Sequence, residues 1–231
     1  FESISGLTGT GFSIYKNIKY LDPTLIIWRS SSQWIGGLYF LFFLILIFSN
    51  KSINFKMTTL TYSGESNLVY TENIKTNILK IFLFYTAISI FFFILLKISG
   101  IRLFSSFNLS MTLVSNGGFL PTDTLNEIII LNSQKIAVIF TMIISMLNFY
   151  LLFNIFNKKF LYKFHKEDFY LILISLVLIL LVFFNDLKIL DIIMSVISCL
   201  SNSGLTVINS NQNLSLYFLL ITVIGGSLIS N

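Results

Sequence analysis

Two kinds of apolar run alternate along this chain, and their lengths limit what it can fold into. Residues 24–48, 76–96 and 132–156 are long enough to cross a bilayer as helix. Residues 169–184 form a somewhat shorter run, and another begins at residue 214. About 20 apolar residues suffice to span the hydrocarbon core. Residues 104–114 and 187–200 are only half that length or a little more. At 1.5 Å per residue, the first of these reaches about 16 Å, roughly half the core, so it enters and returns. Turning backbone at membrane depth strands its N–H and C=O groups unless it is buried in protein or lines a watery cavity.

Composition agrees with a bilayer environment. Hydrophobic residues make up 55% of the 231 residues and charged residues 11%, against about 25% charge in a soluble domain. Mean hydropathy is +0.85. The net charge of +5 lies in loops, and the aromatics are interleaved with aliphatics rather than with Lys or Arg, which speaks against a nucleic-acid surface. Cys199 is the only cysteine, so no internal disulfide and no thiolate metal site is available. Lys158, Lys159, Lys163 and Lys166 crowd one short loop and place residues 157–168 in the cytosol by the positive-inside rule.

Small polar segments follow the half-length runs. "SGLTGTGFS", "SNGGF" and "SNSGL" stack on their glycines. Thr8-Gly9-Thr10-Gly11 aligns with Ser115-Asn116-Gly117-Gly118 and with Ser201-Asn202-Ser203-Gly204, at spacings of 107 and 86 residues. Counting crossings from the Lys-rich loop puts all three on the outer side. The repeated unit is span, half-helix, polar loop, span, which predicts an all-α polytopic membrane protein. Carbonyl oxygens from several such loops replace the hydration shell of a bare cation in a selectivity filter. Glycine opens the backbone angles this requires. The Ser and Thr hydroxyls offer further oxygens, and the negative end of each half-helix favours a cation. Divalent sites usually bring carboxylates, and none lies within the three loops.

These segments resemble the TrkH/KtrB/HKT potassium transporter family, most closely its TrkH branch. "FESISGLTGTGFS" is similar to the family's first pore helix and filter, and "WRSSSQWIGG" to the helix after it. "SNGGFLPTD" and "SCLSNSGLT" are similar to the second and third filters, and "MLNFYLLF" to the end of the second outer helix. "GGSLISN" looks like the opening of the family's intramembrane gating loop, at Gly225 and Gly226.

The resemblance implies repeated helix–pore helix–filter loop–helix units arranged pseudo-fourfold around a central pore. It implies K+ as the transported ion with no other cofactor, and a homodimer in the bacterial cytoplasmic membrane. It also implies a cytosolic nucleotide-binding regulatory subunit, TrkA-like. Gly11, Gly118 and Gly204 match the form that the family associates with potassium. On this alignment residues 1–50 hold the first repeat without its first span, 51–75 a cytosolic loop and 76–157 the second repeat. Residues 158–168 are the basic loop and 169–231 a truncated third repeat. The fourth repeat is expected to lie outside this chain, which is read as a fragment.

Several residues have two readings. Arg29 either snorkels to outer headgroups or braces the filter through backbone carbonyls, with Gln33 one turn on facing the same side. Gly36 and Gly37 permit close helix packing, with a hinge as the second reading. Asn148 forms an interhelical hydrogen bond or lines the pore. Trp28 and Trp34 are placed as interfacial indoles. Asp123, Glu127, Asp186 and Asp191 either concentrate cations at the outer mouth or serve as caps and solvated loop residues. His165, the only histidine, lies among cytosolic lysines across the membrane from all three loops, so a serine hydrolase would lack its base. A secondary transporter of Na+ or a small organic solute is the alternative function, although such sites usually carry an intramembrane charge and the spans offer little beyond Arg29. A non-functional truncated product is the remaining one.

Overall fold

The structure, a computed structural model, describes residues 1–49, 74–146, 188–205, 217–219, 221 and 222. Among the described residues there is no strand. Six helices lead the fold among these residues: α1 (Glu2–Leu7), α2 (Pro23–Ser49), α3 (Ile74–Ile98), α4 (Leu103–Val114), α5 (Asn132–Met146) and α6 (Ile189–Leu200). Short 3-10 turns occupy Ile18–Tyr20 and Leu125–Glu127.

The two half-length runs become α4 and α6, each of 12 residues, about 18 Å of helix. By contrast, α2 runs for 27 residues and α3 for 25. Among the described residues one helical stretch, Ile78–Ile98, is long and apolar enough to cross a membrane.

Pro23 opens α2, where its missing N–H is no loss, and the carbonyl of Asp22 accepts from the N–H groups of Leu25 and Ile26 at 2.9 and 3.2 Å. The first half of α2 buries polar residues. Arg29, Ser30, Ser32 and Gln33 are all buried, while Tyr39, Phe40 and Phe43 further along are exposed. On α3 the large side chains of Leu83, Ile90, Phe91 and Ile94 also face outward. Such an inverted pattern suits hydrocarbon as the surrounding solvent, since no water is ordered around these side chains.

The main core gathers Phe92 and Leu96 of α3, Leu109 and Leu113 of α4, Val138 and Met142 of α5, and Met194 and Ile197 of α6. A second cluster joins Leu38 and Leu41 of α2 to Ile81 and Tyr85 of α3. Trp34 turns toward α3: its Nε1 donates to Ser89 Oγ at 2.8 Å, and Tyr85 Oη donates to the Trp34 carbonyl at 3.1 Å. Trp28 remains exposed.

Close approach of α1 and α2 depends on missing side chains. A Cβ on Gly36 would strike the Leu7 carbonyl of α1, and one on Gly6 would strike Ser32 Oγ. A Cβ on Gly37 would lie 2.8 Å from Tyr85 Oη and 3.1 Å from Ser115 Cβ. Close packing, the first of the two readings for this glycine pair, is what the structure contains.

Candidate functional site

The three glycine-stacked loops leave α1, α4 and α6 by the same route. The first loop residue of each, Thr8, Ser115 or Ser201, is still right-handed helical. The second has positive φ, at 68° for Gly9, 51° for Asn116 and 56° for Asn202. The fourth is again positive, at 71° for Gly11, 80° for Gly118 and 66° for Gly204. The hydrogen bonds repeat with the angles. Thr8, Ser115 and Ser201 donate to carbonyls four residues back, at 2.9, 3.4 and 2.8 Å. Thr10, Gly117 and Ser203 donate five residues back, to Ser5, Thr112 and Ser198, at 3.1, 2.9 and 3.1 Å. A left-handed residue followed by a bond of that reach is the Schellman helix cap, which takes Gly and sometimes Asn at its left-handed position. Asn116 and Asn202 therefore stand where helix capping admits them, and Asn116 Nδ2 also donates to the Ser145 carbonyl of α5 at 3.2 Å.

The second positive φ belongs to the loop itself. Gly11, Gly118 and Gly204 have no capping role, and the first two lie where loops meet. A Cβ on Gly11 would strike the carbonyl of Gly117 and lie 3.5 Å from the α-carbon of Gly118. A Cβ on Gly118 would lie 2.5 Å from the carbonyl oxygen of Ser203 and 4.0 Å from the α-carbon of Gly11. Segments separated by about a hundred residues thus come together backbone to backbone, with glycine at each contact.

The loop hydroxyls turn back toward their half-helices. Thr8 Oγ1 donates to the Ile4 carbonyl at 2.8 Å, Ser115 Oγ to Met111 at 3.0 Å and Ser201 Oγ to Ser198 at 3.1 Å. These bonds spend the hydroxyl hydrogens on stiffening the loops and leave lone pairs on each oxygen.

Arg29 bonds a carboxylate and not backbone carbonyls. It is 2% exposed, and its Nε donates to Glu2 Oε2 at 2.9 Å. Its guanidinium lies 4.3 Å from the centroid of the Phe119 ring, within cation–π range. The other Glu2 oxygen accepts from Ser13 Oγ at 2.9 Å and from the Ile14 N–H at 2.7 Å. One buried ion pair therefore joins α1, α2 and the exit of the first loop, behind the glycines. Gln33, one turn further along α2, does act on backbone: its Nε2 donates to the Gly117 carbonyl, and its Oε1 accepts from the Phe119 N–H at 3.1 Å. Sequence reasoning does not single out Glu2. The signal for it is a carboxylate in the short helix before the first loop, in a chain whose next span carries an arginine, since charges in such places pair.

Three of the four outer acids have partners from distant parts of the chain. Asp123 Oδ1 accepts from the Ile18 N–H at 2.5 Å, Glu127 lies 3.9 Å from Lys19, and Asp191 pairs with Lys135. Gly225, Gly226, Asn148, His165, Asp186 and the Lys-rich loop lie outside the described residues.

Short helices that cap alike and bring successive glycine loops into backbone contact define the class: a helical architecture of repeated helix–loop units. The chain has the TrkH fold. The crystal structure of the potassium transporter TrkH from Vibrio parahaemolyticus matches it at a TM-score of 0.76, with 19% identity, over 96% of this chain and 48% of that one. An uncharacterized cation transporter of Methanocaldococcus jannaschii is 25% identical over 98% of this chain and 48% of its own length. The chain thus spans about half the length of the relatives it matches. No protein-family model matches it.

Proposed function

We propose that this chain supplies part of a TrkH-type pathway for K+ across the cytoplasmic membrane, with Gly11, Gly118 and Gly204 at the narrowest ring. The observation that carries the reading is that three loops of similar backbone course meet around Gly118, which faces Gly11 on one side and the Ser203 carbonyl on the other. Such loops offer uncharged carbonyl oxygens, held in place beforehand, to an ion that has shed its water. The similarity to a cation transporter and to the TrkH fold supports the same reading. On it, the repeats at 1–50, 76–157 and 169–231 surround most of a pseudo-fourfold axis. The protein works as a homodimer with a cytosolic nucleotide-binding subunit.

Uptake of Rb+ by a K+-starved host expressing the complete gene tests the proposal directly, and no uptake above the empty host refutes it. Gly118→Ser adds a side chain at φ 80°, 2.5 Å from the Ser203 carbonyl. The distorted ring then admits Na+ more readily relative to K+. An unchanged permeability ratio in that variant removes Gly118 from the filter.

A further inference from the structure

The three loops share a backbone path but are held in different ways. In the first, Thr10 Oγ1 donates to Ser5 Oγ at 3.1 Å, and Ser5 Oγ donates to the Phe12 carbonyl at 2.6 Å. Two hydroxyls thus clasp the chain on both sides of Gly11. In the third, Ser203 Oγ lies 3.1 Å from Ser198 Oγ. Each pair joins the third loop residue to the half-helix residue five positions earlier. The second loop keeps the half-helix hydroxyl, Thr112, but has glycine at position 117, and Thr112 Oγ1 donates instead to the Leu109 carbonyl at 3.1 Å.

Gln33 of α2 fills the place left by the missing side chain. A Cβ on Gly117 would lie 2.5 Å from Gln33 Oε1 and 2.8 Å from Nε2. Through its bonds to the Gly117 carbonyl and the Phe119 N–H, the amide clasps Gly118 from both sides, as the hydroxyls clasp Gly11. Gln33 is fully buried, so neither backbone group has water as a substitute.

We infer that Gln33 is a positioning residue for the second loop, an amide lent by the neighbouring repeat in place of the hydroxyl that this loop lacks. Gln33 and Gly117 are then an exchangeable pair. Gln33→Ala removes the clasp. Gly117→Ser alone drives a side chain into the Gln33 amide. Together they make room for a serine hydroxyl opposite Thr112, recreating the arrangement of Thr10 and Ser5. Gly117 is not among the positive-φ glycines, so its backbone accepts serine.

The ion-flux readout rests on the transport reading; the clasp itself does not. The test uses the product of the complete gene, purified in detergent and reconstituted in vesicles, comparing wild type, Gln33→Ala, Gly117→Ser and the double variant. Each single variant lowers the K+ over Na+ flux ratio about tenfold, as expected for a lost buried hydrogen bond, and the double variant recovers most of it. A ratio unchanged in Gln33→Ala, or a double variant no better than Gln33→Ala, overturns the inference. If the wild type passes no cation, the transport reading fails alone. The melting temperature then decides: recovery in the double variant supports the clasp, and additive losses overturn it. If Gln33→Ala fails to accumulate, accumulation of the double variant is the rescue, and its failure refutes the pairing.

Discussion

At the scale of single residues, two glycines two positions apart have different reasons to be glycine. Gly9 sits at a helix cap, where a Cβ would meet no atom within 4 Å, and its counterparts are Asn116 and Asn202. Gly11 has similar φ but faces the Gly117 carbonyl. Gly9→Asn therefore costs well under ~1 kcal/mol, because asparagine tolerates the left-handed region. Gly11→Asn meets backbone that has no room to yield and abolishes Rb+ uptake; comparable uptake by the two variants contradicts the distinction. Arg29→Ala leaves the Glu2 carboxylate buried without its cation, a loss of about 3–5 kcal/mol visible as a lower melting temperature. Adding Glu2→Gln recovers part of it. The glycines were legible in the sequence because so few residues adopt positive φ. The partner of Arg29 was not, because sequence spacing says nothing of which helix will face another.

At the scale of elements, α2 is organised by one buried face. Arg29, Gln33, Gly36 and Gly37 lie at helical spacing, where residues three and four apart share a side. Their targets are Glu2, the second loop, Leu7 and Tyr85 in turn. Gly36→Ala pushes α2 off the α1 backbone and shifts the first loop with it. Gly37→Ala meets mainly the end of the Tyr85 side chain, which has some freedom to move. The expected order of transport is wild type, then Gly37→Ala, then Gly36→Ala, measured as initial Rb+ uptake at equal protein level. A reversed order contradicts the packing account. The half-length elements were legible from run length alone. The inward course of the loop hydroxyls was not, because it depends on each residue still being helical, so that its hydroxyl reaches a carbonyl three or four residues back.

At the scale of the molecule, contacts between distant segments hold the loops in register. Asp123 fastens the second unit to Ile18 of the first, and the Lys135–Asp191 pair fastens α5 to α6. Asp123 and Asp191, read in the sequence either as attracting cations or as caps and solvated loop residues, act here as ties between units. Orientation is the property of the whole assembly most open to test. Tyr20 is 84% exposed beyond the first loop, while Cys199 is buried. A membrane-impermeant thiol reagent added to intact cells should label Tyr20→Cys and leave the parent silent. Labelling only after lysis would reverse the orientation inferred from the Lys-rich loop.

By itself, the sequence determined which segments are long or half-length, where the chain turns inside the apolar layer, and which positions had to be glycine. These properties follow from chain length per residue and from local backbone sterics, and need no knowledge of neighbours. The tertiary structure decided which turning segments touch, that Arg29 pairs with Glu2, and that Gln33 of one unit holds the loop of the next. Those outcomes depend on close approach between residues far apart in the chain, 27 positions for the ion pair and 84 for the Gln33 bond to Gly117. Such approach is set by helix packing as a whole and by no single stretch of chain.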